Sequence, residues 1–242
     1  MVAAVHAGAQ SLIVGLGGSA TMDGGLGAAR AWGWKALDNR GQPLADVGGA
    51  LGGLSVIEAG QEFPASVLAL CDVTNRLLGA DGAAVFARQK GANAAAAKRL
   101  AAGLAQLVDA TAVWNGPALA ERPGAGAAGG LGFGLLCFAR ADVTAGAQWI
   151  LARAGVAPRL AEADLVVVAE GAFDTTSLGG KLTGEVIAAA RHAEVPVVVL
   201  TPNARVRPPG VTVISQPGRW RPGDIVRIAE RAVRSALRLP AS

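Results

Sequence analysis

Two stretches, "DLVVVA" at 164–169 and "VPVVVL" at 195–200, carry unbroken runs of β-branched residues instead of alternating apolar and polar ones. A strand written this way buries both faces, which belongs to a parallel sheet covered by helices. The chain between them has helical patterning from about 183 to 193, so residues 164–200 read as a strand–helix–strand unit with parallel pairing and a right-handed crossover. Further runs, "SLIVG" at 11–15, "SVLALC" at 66–71 and "VTVIS" at 211–215, predict more buried strands. In "NAAAAKRLAAGLAQLVDATAV" the residues Leu100, Leu104, Leu107 and Val108 recur at helical spacing, Asn93 stands where a cap belongs, and Lys98, Arg99 and Asp109 fall outside. The expected class is α/β.

Composition narrows what such a fold can do. With 52% hydrophobic and 17% charged residues the 242-residue chain can bury a sizeable core. A net charge of +4 comes from dispersed arginines, with only 4% aromatic residues, so no basic stripe interleaved with stacking residues marks a nucleic-acid surface. A small anionic substrate suits the excess charge better. Cys71 and Cys137 lie far apart in apolar runs without CxxC spacing and are expected to be buried and reduced, as in a cytoplasmic protein. The first residues lack a basic leader and no run approaches the length of a membrane span, so no membrane partner is expected. A homo-oligomer is left open.

Chemistry concentrates in four glycine-and-polar clusters, three of which begin where a predicted strand ends. That is where open α/β sheets bind ligands. "GLGGSATMDGG" at 15–25 offers backbone N–H groups of Gly17 and Gly18, with Ser19 and Thr21, as an anion cradle. Asp23 in the same loop would take a proton, orient a hydroxyl or hold a metal, or else cap the following helix. "CDVTN" sets Asp72 and Asn75 just past a strand, as ligands or as turn-formers. "PGAGAAGGLGFGLLCFAR" at 123–140 leads into a buried helix over 131–138, as an anion site or as a stripe of small residues for close packing. "AEGAFDTTSLGGKLTGE" brings Glu170, Asp174 and Lys181 into one loop, which suits Mg-assisted phosphoryl transfer, against a simpler surface ion pair.

Several common readings fail on the same residues. A Walker A loop would need glycine at Thr175 and serine or threonine at Leu182. His6 and His192 have no metal-ligand neighbour, and there is no G-x-S-x-G elbow. Gly15 to Ala20 does match the dinucleotide pattern G-x-G-x-x-G/A, but "TMDGG" interrupts the helix that should follow and Asp38 lies in a turn, so an NAD-binding oxidoreductase is only a runner-up.

Together the four clusters, in this order, resemble the bacterial glycerate kinase family, which phosphorylates D-glycerate with ATP. The matching stretches are "AGAQSLIVGLGGSATMDGGLGAARAWGWKALDNRGQPL", "CDVTNRLLGADGAAVFARQKGA", "PGAGAAGGLGFGLL" and "EGAFDTTSLGGKLTGEV", covering most of residues 2–200. The resemblance implies a two-domain α/β kinase using ATP and Mg2+, with a flavodoxin-like (Rossmann-type) domain built from both ends of the chain and a second α/β domain inserted. Here residues 1–160 would be the inserted domain and 161–242 the C-terminal part of the flavodoxin-like one. Gly17, Gly18, Ser19, Thr21, Asp72 and Asn75 fall on the expected substrate and phosphate loops, and Glu170, Asp174 and Lys181 on the late acidic loop. Asp23, Asp174 and Lys181 are the expected catalytic groups, Glu170 the Mg2+ ligand, and 2-phosphoglycerate the product.

The match also departs from the family. Relatives carry an N-terminal region with a D-S-F-K-G-S-like stretch, absent here, so the flavodoxin-like domain is expected to be incomplete at that side. Ala172 replaces an arginine common in relatives. An inactive, ligand- or partner-binding remnant therefore stands beside the kinase reading.

Overall fold

A computed structural model describes residues 1–45 and 48–236. The chain divides into two compact units, Met1–Gly146 and the residues from Ala147 onward.

The first unit runs α1 (Val2–His6), β1 (Ser11–Gly15), α2 (Leu26–Arg30), β2 (Lys35–Leu37), β3 (Val56–Glu58), β4 (Ser66–Cys71), α3 (Ala94–Ala110), α4 (Gly116–Ala120), α5 (Ala127–Phe138) and β5 (Asp142–Ala145). Its main sheet has the order β1-β4-β5, parallel throughout, and β2 pairs with β3 antiparallel. Val67 and Ala69 of β4 pack with Leu135 of α5 and with the half-buried Leu12 and Val14 of β1. Ile13, on the opposite face of β1, is 56% exposed. "SLIVG" and "SVLALC" are thus strands as expected, but only one face of β1 is well covered.

The larger core of this unit gathers Leu104, Leu107 and Val108 of α3 with Met22, Leu77 and Phe133. This is the predicted apolar stripe of α3, and the Asn93 side chain caps the helix by accepting the Ala96 N–H at 2.8 Å. Both cysteines are buried free thiols, and burial pushes Cys137 up to about 12, which keeps it protonated and unreactive.

The second unit continues with α6 (Gly146–Arg153), α7 (Val156–Leu160), β6 (Val166–Ala169), α8 (Leu182–His192), β7 (Val197–Thr201), β8 (Thr212–Ser215) and α9 (Pro222–Ala236). Its sheet, β6-β7-β8, is parallel, and β6–α8–β7 is the strand–helix–strand unit read from the sequence. All five residues of the central β7 are buried. The amphipathic α9, whose Ile228 and Ala232 cover Val198 and Leu200, was not anticipated.

What holds the first unit's loops in place is contact between backbones. A Cβ on Gly134, in the regular part of α5, would lie 2.6 Å from both the Gly24 carbonyl oxygen and the Gly25 Cα. The helix therefore touches the Gly24–Gly25 turn with no side chain between them. Alanine at 134 gains about 1 kcal/mol in helix propensity, yet overpacking against rigid backbone costs typically 1–3 kcal/mol. We predict that Gly134→Ala lowers unfolding free energy in urea, whereas Gly52→Ala, which meets open space, leaves it nearly unchanged.

Candidate active site

β1 and β4 are parallel, with Gly15 paired to Leu70, so the loops that follow them leave the same end of the sheet. The first loop stays non-helical until α2 opens at Leu26. This removes the dinucleotide reading, which needs the glycine loop to pass straight into a helix whose N-terminus faces the pyrophosphate. Gly17, Gly18 and Ser19 instead line a cavity of about 290 Å3 together with Phe86, Lys90 and Ala128. Gly18 takes a left-handed φ of 62°, a turn of the kind from which concave N–H nests are built.

Lys90 was not singled out from the sequence. Its ammonium donates to the Ser19 carbonyl oxygen and, at 2.9 Å, to the Ser19 Oγ. The short 3-10 turn Arg88–Lys90, closed by Gly91 at φ 88°, delivers it. The only signal was a lysine before a glycine in "RQKGA", with no strand ahead of it to mark a ligand loop.

The other first-unit candidates divide between ligand wall and scaffold. Asp23 accepts the Gly25 and Gly27 N–H groups at 3.1 Å, one on each carboxylate oxygen, so its observed work is capping the start of α2. Thr21 is exposed, and its carbonyl lies where a Cβ on Gly129 would come to 1.9 Å. Asn75 donates its amide to the Asp81 carbonyl at 2.6 Å and accepts the Gly126 N–H on its own carbonyl at 2.9 Å, which makes it a loop staple. Asp72 is exposed immediately past β4. The third cluster threads between the first two: Gly126 bonds Asn75, Gly129 accepts the Gly24 N–H at 3.2 Å, and Ala128 at φ 52° reaches the cavity wall. Close packing and site formation are both assigned to it.

A larger cavity of about 560 Å3 opens near Gln10 and Ser66, at the amino ends of β1 and β4, between Phe63, Phe138 and Arg140. None of the sequence-predicted site residues lines it. Its place, opposite the ends at which parallel sheets present their ligand loops, makes it the weaker candidate despite its size.

In the second unit β6 ends at Ala169, and Glu170 follows with its N–H bonded to the Leu200 carbonyl at 3.0 Å. Asp174 caps the 3-10 turn Thr175–Leu178, accepting the Thr176 N–H at 2.8 Å and its hydroxyl at 2.7 Å on one oxygen. Lys181 donates to the Thr176 hydroxyl oxygen at 3.0 Å, completing a polar chain from carboxylate to ammonium. The Thr176 side-chain and backbone hydrogen bonds hold the Asp174 carboxyl below its ordinary 3.8.

The late loop also suits a metal ion. Glu170 Oε2 is buried with no hydrogen-bond partner among the described residues, an acceptor that a cation would satisfy. No group of three or more metal-binding side chains occurs among the described residues. Mg2+ is commonly held through one or two carboxylates together with substrate phosphates.

The stability that the Asp174 cap contributes is present above the unfolded carboxyl value and is lost as pH falls through the lower folded value. Thr176→Val removes the first cause of that lowering. We predict that its Asp174 carboxyl midpoint, followed by NMR, moves up toward 3.8, and an unmoved midpoint would refute the assigned cause.

With this geometry in hand, comparison with known proteins gives a consistent result. The model of the "Glycerate kinase family" matches residues 1–212. The glycerate kinase of Bacillus subtilis (strain 168) is 40% identical over 201 residues, covering 81% of this chain and 53% of that protein. The glycerate 2-kinase of Escherichia coli (strain K12) is 34% identical over 200 residues, covering 81% and 52%. A crystal structure from Salmonella typhimurium LT2, assigned as glycerate kinase 2, superposes with a TM-score of 0.76 at 31% identity, over 98% of this chain and 67% of that one. The chain thus spans about half the length of the curated relatives it matches. Its sequence along residues 1–212, its two-unit α/β fold and its glycine-rich strand-end loops together make it a member of the glycerate kinase family.

Proposed function

We propose that this protein serves ATP-dependent phosphorylation of D-glycerate, with 2-phosphoglycerate as the product. The observation that carries this reading is the meeting of the first three motif clusters at one end of a parallel sheet, with the fourth cluster at the carboxyl end of β6. The names of the relatives, glycerate kinase and glycerate 2-kinase, support the substrate and the position phosphorylated.

The proposed division of labour follows from the hydrogen bonds. Gly17, Gly18 and Ser19 bind the anionic substrate through backbone N–H groups and the serine hydroxyl, while Thr21 and Asp72 belong to the same two strand-end loops without lining the cavity. Asn75 acts through the loop it staples. Asp23 has both carboxylate oxygens on the backbone of its own turn, so its part is to hold the loop in shape. Asp174 stays ionised throughout the neutral range and accepts the attacking hydroxyl's hydrogen bond. A loose phosphoryl-transfer transition state asks more for orientation of that hydroxyl than for a strong base. Lys181 neutralises charge building on the transferring phosphoryl group, and Glu170 would hold Mg2+. When bound, the metal would supply charge neutralisation to the phosphates.

The test is 31P NMR of the protein with ATP, Mg2+ and D-glycerate. The expected result is ADP together with 2-phosphoglycerate, with Asp174→Asn lowering kcat by about 100-fold or more. Asp23→Asn is expected mainly to destabilise the fold, by about 1 kcal/mol. Binding of D-glycerate with no phosphoryl transfer would favour the ligand-binding alternative. Full activity in Asp174→Asn would remove the role given to that residue.

A further inference from the structure

We infer that Lys90 anchors a carboxylate, and that the cavity it lines takes the acid end of a small hydroxy acid. The inference rests on the reading of the chain as a glycerate-binding protein and assigns the part of the substrate that this cavity recognises.

A lysine ammonium has three donors and no acceptor. Two of the Lys90 donors are spent on the Ser19 carbonyl and hydroxyl oxygens, which fixes the side chain against the glycine loop and leaves a third donor and the full positive charge for a ligand. The N–H groups of Gly17, Gly18 and Ser19 donate no hydrogen bond among the described residues, so backbone donors sit beside the ammonium. Among the described residues no carboxylate lines the cavity, while Leu16, Val73 and Phe86 do. These side chains give the carbon skeleton of a ligand apolar surface beside the ammonium.

Size and charge choose among anions. A cavity of about 290 Å3, at the lower end of ligand pockets, gives room for a three-carbon acid. A single lysine matches one negative charge, whereas a nucleoside triphosphate calls for several cations or a metal ion. The Ser19 hydroxyl, already oriented by Lys90, is available to a substrate hydroxyl next to the carboxylate. The anchor therefore favours a 2- or 3-hydroxy carboxylate over a neutral polyol of the same size.

The cavity lies wholly within the first unit, so binding can be read on the chain itself without turnover. Isothermal titration would compare D-glycerate with its uncharged amide, glyceramide, on the wild type, Lys90→Met and Lys90→Arg. The wild type is expected to prefer the acid by about tenfold or more, the arginine variant to keep a preference, and the methionine variant to lose it. A merely structural lysine would weaken both ligands alike. Lack of discrimination in the wild type, lack of binding, or retained discrimination in Lys90→Met would each overturn the assignment. The kinase reading fails separately: a preference for the acid without transfer from ATP leaves the anchor standing, and transfer whose KM for D-glycerate is unchanged in Lys90→Met leaves only the kinase.

Discussion

The candidate site in the first unit depends on one contact, the backbone of α5 pressed against the turn at Gly24–Gly25. Gly134 and Gly25 meet with no room for a Cβ on either, and Gly129 meets the Thr21 carbonyl as closely. Because these are rigid main-chain atoms, the start of α5 cannot shift without carrying the glycine loop with it. The same segment bonds Asn75 through Gly126, so one stretch of chain sets the relative positions of two strand-end loops. A left-handed alanine at 128 is the strained element of this arrangement, at a wall of the cavity, where such strain is commonly retained for function.

Charge is distributed to match. Among the described residues the first-unit cavity has a lysine and unspent backbone donors on its wall and no carboxylate, which suits an anion. The late loop of the second unit carries a linked carboxylate, hydroxyl and ammonium, with a buried unpartnered carboxylate oxygen on Glu170, which suits a metal-bound phosphate group. Each set is built at the carboxyl end of a parallel strand, where side chains converge and the backbone of the following loop is free to meet a ligand.

The sequence made legible what one residue type or one period can signal. Unbroken valines marked β6 and β7, the 3.6-residue stripe marked α3, and Asn93 marked its cap. Strands β2, β3 and β5 went unseen because each has only three or four residues and no apolar run. The glycine clusters announced a site, but not which polar residues face it. Asp23 and Asn75 are turn-formers whose side chains satisfy nearby main-chain groups, an outcome that local sequence allows as readily as catalysis. Lys90 was hidden for the opposite reason. It lies 71 positions from Ser19 in the chain, and only the fold brings the two together.

Ligand recognition in the first unit is proposed at the carboxyl end of its parallel sheet, in the cavity between the glycine loop and the start of α5. Amide chemical-shift mapping with D-glycerate tests it most directly. Perturbations are expected to concentrate at Gly17, Gly18, Ser19, Lys90, Ala128 and Gly129. Perturbations gathered instead around Phe63, Phe138 and Arg140, at the opposite end of the sheet, would contradict it.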